Sequence, residues 1–152
     1  MKSLVVYFSK FGHTQQIAER ISSELANHGT VNTISSDQLV VEDLKDVDLV
    51  VMGTPTHNMN LPEAVRPVFE QLPKRILRGM PVAAFDTSYK MSAFLSRFTA
   101  AKKLARKLRK LGGKRIVPPE TFHVVARQGP LYEGELERAQ DWASSIMAVI
   151  SQ

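Results

Sequence analysis

SLVVYFSKFGHT, which runs from Ser3 to Thr14, combines a buried strand, a tight turn and the start of a helix. Leu4 to Phe8 form an uncharged run of leucine, valine and aromatic residues, which is typical of a strand buried on both faces of a parallel sheet. After the turn, apolar side chains recur at helical spacing from Thr14 to about Asn27. A strand followed directly by a helix favours an α/β fold.

The turn from Ser9 to Thr14 has the chemistry of an anion site. The first N–H groups of a helix have no intrahelical partner and carry the positive end of the helix dipole, so they attract a negatively charged group. Ser9 and Thr14 add hydroxyl groups, and Gly12 allows the backbone to approach a ligand closely. The alternative is that Ser9, His13 or Thr14 only caps the helix, as such residues do in many turns.

The composition is that of a single globular domain, which we predict to span residues 1–152. Hydrophobic residues make up 43% and charged residues 23% of the chain, which is enough apolar material for a sizeable core. No apolar run approaches the roughly 20 residues that cross a bilayer. The strand-like run after Met1 is too short and too early for a secretory signal, so a cytoplasmic protein is expected. The absence of cysteine excludes disulfides, thiolate metal sites and cysteine-dependent phosphatases.

The net charge of +5 is concentrated in one part of the chain. No acidic residue lies between Asp86 and Glu120, where the basic residues are Lys90, Arg97, Lys102, Lys103, Arg106, Lys107, Arg109, Lys110, Lys114 and Arg115. Such a segment could meet nucleic acid, an acidic protein or an anionic cosubstrate. Because few aromatic residues are interspersed, nucleic acid is disfavoured as a partner, and the preferred interpretation is a solvated helix face.

Strand and helix patterns alternate along the rest of the chain, with no internal repeat or Gly/Ser-rich linker. The predicted strands after the first are Thr30–Ser35, Asp48–Gly53, Val82–Phe85 and a fifth that includes residues 122–126. The predicted helices are Thr14–Asn27, one from Leu61 to about Pro73, Thr99–Leu111 and Glu133–Ile150. Pro118 and Pro119 either interrupt the fifth strand or delay its start to Thr121, and we favour the later start. The last helix is expected to bury Leu136, Ala139, Trp142, Ile146 and Val149.

This alternation predicts a doubly wound α/β domain, in which ligands bind outside the carboxyl ends of the strands. Three loops leave neighbouring strands at that edge, namely Ser9–Thr14, Thr54–Asn60 and Asp86–Lys90. All three are polar and contain small or aromatic side chains. Their convergence strengthens the prediction of a ligand site at this edge of the sheet.

The loops resemble those of the flavodoxin family. Ser9–Thr14 resembles the loop that binds the FMN phosphate, and Phe8–His13 is similar to the loop of quinone-reductase flavoproteins of the tryptophan-repressor-binding type. Gly53–Asn58 resembles the second flavin loop in the flavodoxin-like domains of diiron flavoproteins. The resemblance runs along the whole chain. It implies a doubly wound three-layer α/β sandwich, with a five-stranded parallel sheet of order 2-1-3-4-5.

The resemblance also implies the cofactor FMN and the residues that hold it. Those expected around the phosphate are Ser9, Lys10, Phe11, Gly12, His13 and Thr14, although Lys10 and Phe11 replace the hydroxyl residues usual in the family. Those expected along the flavin ring are Pro55, Thr56, His57, Asn58 and Met59 on one side, and Asp86, Thr87, Ser88 and Tyr89 on the other. Tyr89 offers a stacking face. His57 is either a partner for a reduced, negatively charged flavin or an ordinary surface histidine.

The first functional hypothesis is an FMN-binding protein that carries electrons between redox partners, as a monomer or a homodimer. The second is an FMN-dependent NAD(P)H or quinone reductase, whose anionic cosubstrate would meet the basic segment 102–115. The third is a flavodoxin fold that has lost its flavin and acts as an interaction module. A signalling receiver domain is disfavoured, because Phe8-Ser9 and Gly53-Thr54 stand where a receiver carries an acidic pair and a phosphoryl-accepting Asp. Typical flavodoxins are acidic whereas this chain is basic, so the redox partner is left open.

Overall fold

The computed structural model of this chain describes residues 1–56, 60–90 and 99–152, which form an α/β sandwich. The strands are β1 (Lys2–Tyr7), β2 (Thr30–Ser35), β3 (Leu49–Pro55), β4 (Pro81–Tyr89), β5 (Lys114–Arg115) and β6 (Glu120–Val124). The helices are α1 (His13–Leu25), α2 (Val65–Glu70), α3 (Ala100–Lys110) and α4 (Glu135–Ile150), with short 3-10 turns at Ala26–His28, Ser36–Gln38 and Val41–Leu44. All strand pairs are parallel and the order is β2-β1-β3-β4-β5, with β6 also paired to β4, which confirms the predicted order.

Helices cover both faces of the sheet. α1 and α4 pack on one face, where Ile21 and Ile146 share an apolar cluster with Val5 of β1. α3 packs on the other face, where Leu104 shares a second cluster with Val6. Val5 and Val6 are neighbours in the strand, so they point to opposite faces, and both are fully buried. β1 is therefore buried on both sides, as its composition predicts.

Three aromatic rings fill the core between the sheet and α4. Phe85 of β4, Phe122 of β6 and Trp142 of α4 meet pairwise edge to face, with ring centroids 5.9 to 6.0 Å apart. Gly53 of β3 lies against this cluster, because a Cβ at that position would stand 1.9 Å from Cζ of Phe85. The ring of Phe85 thus occupies the space that a side chain at residue 53 would need.

β4 extends four residues beyond its predicted end. The sequence predicts a strand from Val82 to Phe85 and then a loop, whereas residues 86–89 all pair with β6, and residues 86 and 87 also pair with β3. Asp86, for example, pairs with Thr54 of β3 and with Thr121 of β6. The predicted loop is wrong because polar composition signals a loop only where the backbone lacks partners, and here two strands supply them.

The fifth strand position is filled by two segments. β5 pairs with Pro81 and Val82 of β4, while β6 pairs with residues 85–89 of the same strand. Pro118 and Pro119 lie between the two segments, outside the paired residues, where a missing N–H does not break the ladder. The strand is therefore interrupted, and the prediction of a single late start at Thr121 is wrong.

Two helices also depart from the sequence pattern. α2 begins at Val65 rather than near Leu61, because a turn closed by the Val65 N–H and the Pro62 carbonyl (3.1 Å) precedes it. In α4, Val149 is 36% exposed and Met147 is buried instead. Met147 follows buried Ala143 by four residues, so it continues the inward stripe of the helix.

The outer edge of β6 is closed by side chains of α4. Glu135 accepts a hydrogen bond from the His123 N–H at 2.6 Å, and Arg138 donates one to the Thr121 carbonyl. Arg138 also pairs with Glu135 at 2.8 Å and with Glu120 at 3.1 Å. Burial raises the pKa of Glu135, but the bonds from Arg138 and His123 outweigh it and hold this pKa below its ordinary value. The edge therefore offers no free row of backbone groups to another chain here.

Arg138→Ala is expected to lower the free energy of unfolding by about 1–2 kcal/mol, because it removes the Arg138 donor from the Thr121 carbonyl and leaves the Glu135 carboxylate with the His123 N–H alone. Urea denaturation followed by circular dichroism measures the loss. Arg66→Ala is the matched control, since its ion pair with Glu70 has side chains 81% and 69% exposed, and it should cost less than about 0.5 kcal/mol. Equal losses of stability in the two variants would contradict the role of Arg138 in closing the outer edge of β6.

Candidate functional site

A cavity of about 210 Å³ opens at the carboxyl ends of β1, β3 and β4, the edge at which the sequence predicts a ligand site. Its walls come from the turn before α1, from the ends of β3, β4 and β6, and from the residues that directly follow β3 and β6. The lining residues are Lys10, Phe11, His13, Thr14, Pro55, Thr56, Thr87, Ser88, Tyr89, Val124 and Arg127. A cleft of this kind at the topological switch point is the usual ligand position in a doubly wound sheet.

Nine of the fifteen residues predicted to bind a cofactor line this cavity. Ser9 and Gly12 do not line it, although they shape the loop that does. Asp86 does not line it either, because it is fully buried within the sheet. Residues 57–59 lie outside the described part of the chain, so their role stays a prediction.

Val124 and Arg127 line the cavity but are absent from the predicted set. Both lie at or just beyond the carboxyl end of β6. The same rule that points to the loops after β1, β3 and β4 also applies to this loop, because β6 is the parallel neighbour of β4. The strand order, and not the composition of the loop, could therefore have predicted that Val124 and Arg127 line the cavity.

The loop before α1 is held by its own turn rather than by a helix cap. Gly12 adopts a left-handed φ of 89°, and its N–H donates to Ser9 Oγ at 3.0 Å. Among the described residues no side chain caps α1, so the capping role considered for Ser9, His13 or Thr14 is not observed. The N–H groups in the first turn of α1 therefore keep their capacity to bind an anion.

Hydrogen bonds from Thr87 tie the end of β4 to the start of α1 and to the segment after β3. The Thr87 hydroxyl oxygen lies 2.9 Å from the hydroxyl oxygen of Thr14 in α1. Its carbonyl accepts a hydrogen bond from the N–H of Thr56 at 2.9 Å. The end of β4 is thus fixed both to α1 and to the segment after β3, which sets the relative positions of the cavity walls.

Asp86 lies beneath the cavity, beside the N-terminus of α3. Its Oδ2 accepts a hydrogen bond from the Thr56 hydroxyl at 2.5 Å, and the same hydroxyl oxygen accepts one from the Ala100 N–H at 3.4 Å. Among the residues that the structure describes, Asp86 Oδ1 has no hydrogen-bond partner. Burial raises the pKa of Asp86 above its ordinary value. Asp86 therefore positions Thr56 and the start of α3 and does not face the cavity.

His13 presents two ring nitrogens that no described residue binds. Nδ1 and Nε2 are both buried and unpartnered within residues 1–56, 60–90 and 99–152. One face of the ring packs on Gly129, where a Cβ would stand 2.2 Å from Cε1 of His13. Gly129 also has a φ of 92°, so glycine is required there for both space and conformation. Buried ring nitrogens without a described partner suit a polar ligand.

The cavity lining is positively charged and partly aromatic. Lys10 and Arg127 supply two formal charges, and no carboxylate is found among the lining residues that are described. Phe11 and Tyr89 are 41% and 46% exposed, an unusual degree for aromatic side chains, and both border the cavity. The lining therefore favours a ligand that combines an anionic group with a flat ring.

No group of three or more His, Asp or Glu side chains in the described ranges is arranged to hold a metal ion. Nor does any helix within those ranges combine the length and the apolar content required to span a membrane.

A model of the flavodoxin domain family matches residues 4–140, from β1 into α4. The chain belongs to the flavodoxin domain family. A flavodoxin of Clostridium saccharobutylicum is 28% identical to it over 90 residues, which cover 58% of this chain and 56% of that flavodoxin. The match thus spans little more than half the length of this curated relative.

Solved flavodoxin structures share the fold of this flavodoxin-domain chain. An archaeal flavodoxin superposes with a TM-score of 0.77 at 19% identity, covering 100% of both chains. Flavodoxin 2 of Bacillus cereus gives a TM-score of 0.79 at 19% identity, covering 97% of this chain and 99% of that one. Rubredoxin:oxygen oxidoreductase of Desulfovibrio gigas gives 0.73 at 20% identity, with 99% of this chain matching 37% of that longer protein.

Proposed function

We propose that this flavodoxin-domain chain binds FMN in the cavity at the carboxyl ends of β1, β3 and β4 and carries electrons between redox partners. The observation that carries the proposal is the presence, in one cavity, of an uncapped helix N-terminus and two exposed aromatic side chains. The helix N-terminus suits a phosphate, and the aromatic faces suit a planar ring. Membership of the flavodoxin domain family supports a flavin as the ligand class.

The residues present fit the phosphate of FMN. The first-turn N–H groups of α1 would donate to the phosphate, and the unpartnered His13 ring would find a hydrogen-bond partner there. Lys10 and Phe11 stand where the family usually carries hydroxyl residues, so the backbone and the cationic lining take a larger share of the binding. The donor set is therefore sufficient for an anion, although it differs from the usual one.

The residues present also fit a flavin ring. Pro55 and Thr56 at the end of β3, and Ser88 and Tyr89 at the end of β4, all border the cavity. Bound FMN would supply the reversible uptake and release of electrons, while this chain holds the ring and sets the hydrogen bonds around it. Because Tyr89 is 46% exposed at the rim, a redox partner protein or a small quinone could approach close to a ring held there.

The absorption spectrum of the purified protein, recorded before and after addition of FMN and gel filtration, tests the proposal. We expect a flavin spectrum that survives filtration and that bleaches on anaerobic reduction. A colourless protein that cannot be reconstituted would contradict flavin binding and favour an interaction module. Turnover of NADPH with a quinone as acceptor would assign a reductase activity in place of simple electron carriage.

Tyr89→Ala locates the ring within this experiment. We expect it to weaken FMN binding by about 3–10-fold, since an aromatic pair contributes about 0.5–1.5 kcal/mol beyond its buried area. Val40→Ala is the control, because Val40 is 55% exposed and does not line the cavity. Equal changes in FMN affinity for the two variants would show that the flavin ring does not lie against Tyr89.

A further inference from the structure

A fourth loop, residues 125–130, brings a positive charge to the cavity. Arg127 of this loop lines the cavity together with Lys10, His13 and Thr14 at the start of α1. Within the part of the chain that the structure describes, Arg127 makes no ion pair, whereas Lys10 Nζ lies over the Phe11 ring at 5.5 Å from its centroid. The guanidinium of Arg127 is therefore available to a ligand.

The fourth loop is held against the start of α1. The Val125 N–H donates to the Pro130 carbonyl, and the Gly129 N–H donates to the Ala126 carbonyl, each at 2.8 Å. Gly129 packs directly on the ring of His13 and leaves no room for a Cβ. These contacts close the loop on itself and fix it beside the helix N-terminus. The backbone position of Arg127 therefore follows from the fold rather than from a free loop end.

We infer that Arg127 determines specificity for the phosphorylated flavin by binding the phosphate of FMN. A phosphate monoester carries close to two negative charges at neutral pH, and the described lining has no carboxylate to repel it. A guanidinium also presents paired N–H donors that match two phosphate oxygens. The inference rests on the proposed function. It adds the charged side chain of Arg127 to the backbone and hydroxyl donors of the Ser9–Thr14 loop.

The comparison of FMN with riboflavin distinguishes the contribution of the phosphate to binding from that of the ring. Both dissociation constants are measured by the change in flavin fluorescence. Arg127→Gln is expected to weaken FMN binding by about 10–100-fold, the effect typical of losing a charge-assisted hydrogen bond, and to leave riboflavin binding within about twofold. Arg127→Lys should give an intermediate loss, because lysine keeps the charge but lacks the paired donors. The salt dependence of FMN binding should also become shallower in Arg127→Gln.

Arg109→Gln is the matched control for charge. It removes the same charge from the far end of α3, nine residues beyond Ala100, and should leave both dissociation constants within about twofold of wild type. FMN binding by Arg127→Gln within twofold of wild type would overturn the inference, as would equal losses for FMN and riboflavin. Wild-type protein that binds neither flavin would reject the proposed function and the inference together. The two failures are therefore distinguishable.

Discussion

Phe85→Ala is expected to lower the free energy of unfolding by about 3–5 kcal/mol. Phe85 is fully buried and meets Phe122 and Trp142 edge to face at centroid distances of 5.9 and 6.0 Å. Removing its ring loses the transfer free energy of the side chain and leaves a cavity between the sheet and α4. Urea denaturation of the protein without added flavin measures the loss.

Phe11→Ala is the matched control for this experiment. It removes the same atoms from a side chain that is 41% exposed, so the free energy of unfolding should change by less than about 0.5 kcal/mol. Similar losses for Phe85→Ala and Phe11→Ala would contradict the assignment of the aromatic cluster as the centre of the core.

Gly53 provides a sharper test of the same packing. Gly53→Ala alone should destabilise the fold by about 1–3 kcal/mol, because the new Cβ would stand 1.9 Å from Phe85 Cζ. In the Phe85→Ala background the same methyl group enters the vacated space, so most of this cost should disappear. Losses that simply add would show that residue 53 does not face the ring.

The central strands could be predicted from sequence because their composition suits few other environments. The runs Leu4 to Phe8 and Leu49 to Met52 are uncharged and, apart from the partly buried Tyr7, are buried in the structure, and β2 has the predicted bounds Thr30–Ser35. The end of β4 could not be predicted in the same way. Residues 86–89 look like a loop until the partners from β3 and β6 are known, and those partners are distant in sequence.

The residues of the candidate site likewise differ in whether the sequence alone could predict them. The residues from Ser9 to Thr14 are contiguous, so a strand–turn–helix pattern is enough to find them. Arg127 is an arginine in a polar turn, and nothing local distinguishes it from a solvated one. Its place at the cavity depends on the packing of Gly129 against His13, two residues more than a hundred positions apart. Tertiary contact, not local pattern, completes the site.

At pH 7, Asp86→Asn is expected to raise the free energy of unfolding by about 1–3 kcal/mol, because it removes a charge that is fully buried in the sheet. Burial raises the pKa of Asp86, and the hydroxyls of Thr121 and Thr56, the Ala101 N–H and the His123 ring only partly oppose it. A carboxyl with a higher pKa in the folded state stabilises the fold when protonated. That stabilisation is complete below the ordinary value of 3.8 and is lost as pH rises through the folded pKa.

The difference in free energy of unfolding between Asp86→Asn and wild type should therefore be small near pH 4 and grow toward neutral pH. Asn cannot ionise, yet its side-chain oxygen accepts hydrogen bonds at a helix N-terminus as well as that of Asp does. The side chain at residue 86 therefore remains an acceptor beside the start of α3. Asp141→Asn on the exposed side of α4 is the control and should change stability by less than about 0.5 kcal/mol. If Asp86→Asn were less stable than wild type at pH 7, the bonds of the charged carboxylate to Thr56 and the start of α3 would stabilise the fold by more than its burial destabilises it. A gain would instead show that the chain keeps a destabilising charge within the sheet, where Asp86 Oδ2 orients the Thr56 hydroxyl.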